Sequence, residues 1–232
     1  LMLNIVMQLV DLKKIFLILI FSSLLSVLAF SQQLRFSVAT DLSVQHSFKK
    51  GQQYWALGQT VHAHFHLTPK GGIYVWFAYY SNGNYKNNIN ATAKSAATVP
   101  QQIAYVNSGN MRLKQFSSGW KKYLKGSAVA ETGWNLYVYA GFGLLLGRVE
   151  NTHSVDIDTA TYLVPVWKGR ANFKRLTLDP GLGFEKYLGG DLYIYTEGRV
   201  WVPTDGYPSQ YIYVNEQAPW TGMLNVGLRI LF

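Results

Sequence analysis

Apolar and polar residues alternate with a period of two along most of the chain after residue 33, which is the pattern of strands with one apolar face. The clearest case is the last segment, where apolar side chains at the even positions 224–232 alternate with Asn225, Gly227 and Arg229. The pattern predicts eight strands: 34–45, 54–67, 73–81, 111–124, 134–144, 176–185, 192–202 and 224–232.

Three of these segments are irregular. In 73–81 both faces are apolar or aromatic, so the inward face is undecided. In 111–124 the alternation is ambiguous at Ser117 and Ser118, where we expect a β-bulge. Pro180 lies inside a predicted strand although it has no N–H group to donate.

The connections between the predicted strands alternate between short and long. Glycine-rich segments at 68–72 and 188–191 predict tight turns, whereas 81–110, 148–171 and 203–218 predict long loops. Two connections depart from this rule: KKGQQ is short for an outer loop, and 125–133 is long for a turn. Long loops at one end and short turns at the other are typical of outer-membrane barrels, with turns and both termini in the periplasm.

The N-terminal region has the layout of a secretory signal peptide. Lys13 and Lys14 precede the apolar run 15–30, which ends in Ala29-Phe30-Ser31, so we expect cleavage before Gln32. A retained transmembrane anchor is the alternative, but the run is short of the ~20 residues that a span needs. The expected domains are therefore a signal peptide at 1–31 and a transmembrane β-barrel at 32–232.

The composition favours a lipid-facing surface. Charged residues make up 14% of the chain and aromatic residues 15%, a balance that suits a bilayer and its interfaces better than a soluble β-sandwich, the alternative. The absence of Cys excludes disulfides and a cysteine nucleophile. The net charge of +9 is dispersed rather than concentrated on a helix, so we expect lipopolysaccharide phosphates as its counterpart and no nucleic acid.

The last strand carries a candidate assembly signal, formed by Asn225, Gly227, Ile230 and the terminal aromatic Phe232. It resembles the β-signal that the barrel-assembly machinery of Gram-negative bacteria recognises. With this signal, the mature chain resembles the small eight-stranded outer-membrane barrels, such as the OmpX-like proteins and the OmpA membrane domain. The resemblance implies an all-β, closed, antiparallel up-and-down barrel that is a monomer in the outer membrane, without the peptidoglycan-binding domain of OmpA.

The interior of an eight-stranded barrel is just wide enough for side chains to fill. Alternation predicts an inward charge network, because buried charges persist only when they are paired. Its members are Arg35, Asp41, Asp179, Glu185, Glu197, Arg199 and Arg229. Inward glycines would leave room for tyrosine rings and arginine heads. For a partner of Glu197 we nominate Arg199 or Arg229, since periodicity fixes only the face.

A filled interior predicts a non-enzymatic barrel with a structural or surface-interaction role and no cofactor. The alternatives are a small pore for a small or apolar molecule and, less favoured, a lipid-modifying enzyme. His62, His64 and His66 share an inward face at a spacing of roughly 7 Å, too far apart for one metal ion, so we expect polar lumen residues. His153, Ser154, Asp156 and Asp158 in an outer loop form a weak hydrolase-like or cation-binding group.

Overall fold

The computed structural model describes residues 35–48, 50–204, 211 and 220–232. The expected signal peptide and its cleavage site lie outside these residues, as does most of the predicted loop 203–218. The described residues form ten strands: β1 Arg35–Ser47, β2 Trp55–Thr68, β3 Gly71–Ala93, β4 Gln102–Lys125, β5 Trp134–His153, β6 Tyr162–Leu163, β7 Gly169–Leu178, β8 Gly181–Gly189, β9 Leu192–Pro203 and β10 Thr221–Leu231. Within the described ranges, no helix is long and apolar enough to span a membrane.

The strands form a closed antiparallel ring in which β10 pairs with both β9 and β1. β7 and β8 occupy one position between β5 and β9, and the short β6 pairs only with the end of β3, so the ring has eight positions. This confirms the predicted all-β, up-and-down barrel with eight strands. Closure gives each of the eight ring positions two neighbours.

Pro180 lies between β7 and β8 and interrupts the hydrogen bonding of their shared ring position at only one peptide. Leu178 pairs with Phe142 and Gly181 pairs with Tyr139, so β7 and β8 keep one common register against β5. The Asp179 N–H still donates to the Gly141 carbonyl at 2.9 Å, and the Pro180 carbonyl accepts from Val200 at 3.0 Å. The cost of the proline is therefore its own missing N–H bond.

The predicted bulge at Ser117 and Ser118 is wrong. These residues pair regularly with Trp76 and Val75, and the register shifts on β4 lie instead opposite the Tyr80–Gly83 segment and between Tyr123 and Lys125. The Tyr80–Gly83 shift changes the inward parity along β3, from even positions such as Trp76 to odd positions such as Tyr85.

The predicted long loop at 81–110 is also wrong over most of its length. β3 continues to Ala93 and β4 begins at Gln102, so the connecting loop is only 94–101. The outward positions of this extension carry Asn84, Lys86, Asn88 and Asn90, which are exposed. Polar side chains in this stretch mark a β-hairpin that projects beyond the lipid-facing band, where neither face needs to be apolar. β5 likewise runs to His153 and β7 begins at Gly169, which shortens the predicted loop 148–171 to 154–168.

The outward face of the ring is an apolar band. Its exposed side chains come from every ring position and include Leu42, Val61, Phe77, Phe116, Phe142, Leu176, Ile194 and Val226. Aromatic side chains rim the band: Phe36 packs against Phe65 and Phe232 at the end with the tight turns, called here the turn end, and Trp55 and Trp220 lie at the opposite, loop end. An apolar band between aromatic rims on a closed barrel is the exterior of a transmembrane protein.

Val226 lies halfway along β10, with Leu42 on one side and Thr196 on the other, and its side chain is 53% exposed. We expect Val226→Arg to lower the free energy of unfolding by about 2–4 kcal/mol, because the charge would sit near the bilayer midplane. Reversible unfolding in lipid vesicles, followed by tryptophan fluorescence, measures it. Val226→Leu is the control and should cost little; equal stability of the two variants would contradict the lipid-facing assignment.

Candidate functional site

The interior of the barrel is filled by side chains that alternate with the apolar band. Six of the seven predicted network residues are buried in it, namely Asp41, Asp179, Glu185, Glu197, Arg199 and Arg229. The seventh, Arg35, is exposed at the first described position of β1. Its inclusion in a buried network is therefore wrong: it has the inward parity, but it lies at the rim of the turn end, where its side chain is exposed to solvent.

Glu185 is the centre of the charge network near the turn end. Its carboxylate accepts two hydrogen bonds from Arg229, at 2.8 and 3.1 Å, and one each from Tyr123 and Asn135. Lys121 lies 3.6 Å away. A carboxylate between two cations is the arrangement in which buried charges offset their loss of water. The alternation pattern does not identify Lys121 as an inward residue, because the register of its segment, 111–124, is ambiguous.

The connection 126–133 closes the lumen at the turn end. Arg229 donates a third hydrogen bond, to the carbonyl of Ala128 at 3.1 Å, and the Ala128 N–H donates to the Pro69 carbonyl at 2.8 Å. Ala128 is fully buried. The greater length of this connection is thus explained by its position, since it folds across the base of the barrel.

Asp179 is satisfied by neutral donors. Gln115 donates to it at 2.9 Å, Thr177 at 2.8 Å, and Ser117 also donates to its carboxylate. Three hydrogen bonds to a carboxylate stabilise its charged form without a cation at contact distance.

Arg199 lies among aromatic rings rather than against a carboxylate. Its guanidinium carbon is 4.2 Å from the ring centres of both Trp76 and Tyr139 and 5.0 Å from that of Tyr74. These are cation–π distances. The nomination of Arg199 or Arg229 as partner of Glu197 is therefore wrong, since Arg229 pairs with Glu185. Arg199 lies on the same strand face as Glu197, but none of its guanidinium nitrogens has a hydrogen-bond partner among the described residues.

Inward glycines make room for tyrosine rings, as the alternation predicted. A Cβ on Gly183 would overlap the Tyr137 ring, and a Cβ on Gly141 would overlap the Tyr74 hydroxyl. Tyr137 and Gly183 lie directly opposite each other on the neighbouring strands β5 and β8, whereas Tyr74 reaches Gly141 from β3 across β4.

His62, His64 and His66 point into the lumen and are buried, as their alternation predicted. His66 hydrogen-bonds Ser37 at 2.7 Å, and His64 lies 3.5 Å from Lys121. His62 contacts Asp41 at 3.1 Å and Thr60 at 2.7 Å. The three rings thus have three different sets of partners.

The loop residues His153, Ser154, Asp156 and Asp158 are not brought together as a catalytic group. Asp156 pairs with Lys168 at 3.0 Å, and the Ser154 hydroxyl accepts from the N–H of Val106. The hydroxyl of Thr161 and the N–H of Ala160 donate to Asp158 and lower the pKa of its carboxyl. Ser154, Asp156 and Asp158 thus stabilise local loop structure, while His153 is the last residue of β5 and its ring lies 4.7 Å from that of Tyr105.

The residues of the candidate assembly signal have separate places on β10. Asn225 is buried and accepts a hydrogen bond from Ser43 at 2.5 Å, whereas Ile230 and Phe232 face outward and are exposed. A Cβ on Gly227 would overlap the Thr40 carbonyl and the Asp41 side chain. Glycine at 227 therefore has a packing reason: it lets β10 approach β1 where the barrel closes.

A closed eight-position ring with an apolar exterior and a filled lumen defines a small outer-membrane β-barrel. Neisserial surface protein A has this fold with a TM-score of 0.55 and 11% identity, over 85% of this chain and 97% of that one. The attachment invasion locus protein Ail of Yersinia pestis, in complex with the heparin analogue sucrose octasulfate, aligns with a TM-score of 0.49 and 10% identity, over 87% and 100%. At these identities the likeness concerns the fold alone. No family model and no curated protein matches the sequence.

The Glu185–Arg229 pair should show strong coupling. We expect Glu185→Gln to lower the free energy of unfolding by about 3–5 kcal/mol, because it leaves Arg229 and Lys121 buried beside a neutral group. Arg229→Met in the same chain should recover part of that loss, so the double variant costs less than the sum of the single ones. Urea unfolding of the four proteins in vesicles gives the coupling energy.

The exposed Asp156–Lys168 pair provides the control for that cycle, since both side chains are more than half exposed. Asp156→Asn should change the unfolding free energy by no more than about 1 kcal/mol. Additive effects of Glu185→Gln and Arg229→Met would show that the two residues do not act as a pair.

Proposed function

We propose that the protein is a non-enzymatic, non-conducting barrel of the outer membrane with a structural and surface-interaction role, acting as a monomer. The observation that carries the proposal is the filled lumen, in which Trp76, Trp201, Tyr80 and Tyr137 are almost completely buried together with the charge network. A sealed lumen leaves the outer surfaces of the barrel as the places where it can act.

The first such surface is the sheet that projects from the loop end. β3 and β4 have 23 and 24 residues, about twice the 11 of β10, so one side of the wall rises beyond the lipid-facing band. The connection 154–168 packs on the inner face of this wall through Tyr162 and Val166, which contact Ile89, Ala91 and Tyr105. The projecting sheet thus has its own small core, and its polar outer face is a firm surface for contacts outside the cell.

The second surface is a basic patch on the barrel exterior, formed by Arg112, Lys114, Arg148 and Lys174. Together with Tyr79 they line a groove of about 480 Å³ across β3, β4, β5 and β7. The patch lies directly beyond the apolar band on the loop side, at the level where lipid headgroups begin.

Within the basic patch, Arg112 lies directly opposite Arg148 in the β4–β5 register. Like charges in directly opposed positions repel, so this arrangement is favourable only when an anion lies between them. Phosphate groups accept paired hydrogen bonds from guanidinium groups. Lipopolysaccharide places such phosphates at this depth in the outer leaflet, and we propose it as the partner of the basic patch.

The barrel-assembly machinery is the partner we propose during biogenesis. Ile230 and Phe232 support this role because they remain exposed after the barrel has closed, at 46% and 69%. Within the described barrel, the Phe232 ring packs on that of Phe36 at 6.2 Å. Both side chains can contact lipid in the folded barrel and can contact a receptor before the barrel folds.

The sealed lumen predicts the absence of conductance. Purified protein in a planar bilayer should show no single-channel steps, while a general porin inserted under the same conditions shows them, because its wider barrel encloses water. Reproducible steps from this protein would overturn the proposal and favour the small-pore alternative.

The basic patch predicts a specific stabilisation by lipopolysaccharide, since a ligand that binds only the folded state raises its stability. Adding lipopolysaccharide to barrels in phospholipid vesicles should raise the unfolding temperature, and Arg148→Gln with Lys174→Gln should remove most of the rise. Lys122→Gln with Lys186→Gln is the matched control: these residues are also outward and exposed but lie at the turn end. Equal losses in the two double variants would exclude the basic patch as the binding site.

A further inference from the structure

Asp41, His62 and Glu197 come from three different strands, β1, β2 and β9, and converge in the middle of the lumen. One potential ligand atom from each lies within 4.8 Å of the other two. His62 Nε2 is 3.1 Å from Asp41 Oδ2 and 3.7 Å from Glu197 Oε1, and all three side chains are at most 1% exposed. We propose that this cluster, called here the lumen triad, binds one divalent transition-metal ion of the zinc type.

The lumen triad is only partly satisfied by protein: His62 Nε2 contacts Thr60 at 2.7 Å and Asp41 Oδ2 accepts from Tyr195, but each member keeps one further atom without a partner among the described residues. Asp41 Oδ1, Glu197 Oε1 and His62 Nδ1 have no hydrogen-bond partner among the described residues. A buried carboxylate oxygen without a partner is costly, because it has lost its water and gained nothing in exchange. Glu185 shows how this barrel satisfies a buried carboxylate when only protein is involved, with two cations and four hydrogen bonds at hand.

Arg199 does not supply the missing charge. None of its three guanidinium nitrogens has a hydrogen-bond partner among the described residues, so neither Asp41 nor Glu197 receives one from it. Its guanidinium instead stacks on Trp76 and Tyr139. The lumen triad therefore holds two carboxylates around one imidazole, and a divalent cation would balance them.

The spacing fits a small ion with nitrogen and oxygen ligands. Zinc bonds of roughly 2.0–2.1 Å in a tetrahedron place neighbouring ligand atoms about 3.3 Å apart. The two distances from His62 Nε2, 3.1 and 3.7 Å, lie on either side of that value. An imidazole in the set favours zinc or a similar transition metal over calcium and magnesium, which prefer oxygen ligands alone.

Two tyrosine hydroxyls donate hydrogen bonds to the carboxylates of the triad. The Tyr195 hydroxyl donates to Asp41 Oδ2 at 2.7 Å, and the Tyr137 hydroxyl donates to Glu197 Oε2 at 3.3 Å. Such bonds hold carboxylates in position for a metal. The sequence analysis considered the three histidines of β2 and a group in an outer loop as metal ligands; the triad uses one of those histidines, with carboxylates that the closed ring brings from two other strands.

A metal in the triad would stabilise barrel closure. β1 and β9 are the two neighbours of β10 in the ring, and β2 follows β1. An ion bound by Asp41 and Glu197 would therefore link the strands on both sides of the last one. Metal binding that needs the folded ring contributes directly to its stability.

The test uses the full barrel, unfolded in urea with a chelator and refolded into vesicles with Co²⁺ or Zn²⁺. We expect one equivalent of metal per chain after removal of excess, a visible Co²⁺ absorption of a low-coordinate nitrogen–oxygen site, and a higher unfolding temperature than the metal-free protein. Refolded wild-type protein that retains less than a stoichiometric amount of either metal, with no such spectrum, would overturn the proposal.

Variants locate the ion. His62→Gln should abolish metal retention and the Co²⁺ spectrum, and Tyr137→Phe should weaken metal affinity about 10–100-fold. His64→Gln is the matched control, because His64 lies on the same face of β2 and is buried but contacts Lys121 instead. Loss of metal in His64→Gln, or its retention in His62→Gln, would place the ion elsewhere and contradict the triad.

Discussion

A strand inside a lipid bilayer must pair all of its N–H and C=O groups with other strands, because the hydrocarbon offers no partner. The closed ring of this protein follows from that constraint. β10 has to return to β1, and the two strands pair from Ser37 with Leu231 to Ser47 with Thr221. Gly227 permits their approach, and Pro180 is tolerated because the register of β7 and β8 continues across it.

Closure with eight positions then decides what the interior contains. The lumen is too narrow for a water-filled channel, so the inward residues of all strands meet one another. Charges placed there need partners within the lumen. Glu185 achieves this with Arg229 and Lys121, Asp179 with neutral donors, and Arg199 with aromatic faces. These three solutions together fill the barrel and account for its proposed role at the surface rather than as a passage.

Beyond the bilayer the hydrocarbon no longer surrounds the barrel, and the outward side chains of the wall change from apolar to polar. The projecting parts of β3 and β4 carry asparagines outward, and the connection 154–168 covers their inner face. The basic patch lies at the transition between the two regimes, where apolar side chains such as Leu146 and Leu176 give way to arginine and lysine. The outward side chains of these strands thus change from apolar to polar or basic where the strands leave the membrane.

The sequence by itself determined the all-β class, the number of ring positions and the face of most residues, because a period of two is a local property of a strand. Asp41, Glu185, Glu197 and Arg229 could be placed inside the barrel on that basis. The length of β3 and β4 could not, because polar alternation outside the membrane resembles a loop in composition. Only the tertiary structure decided which inward residues meet: Arg229 with Glu185, and Asp41 with His62 and Glu197. Those contacts depend on strand register and on ring closure, which join residues far apart in the chain.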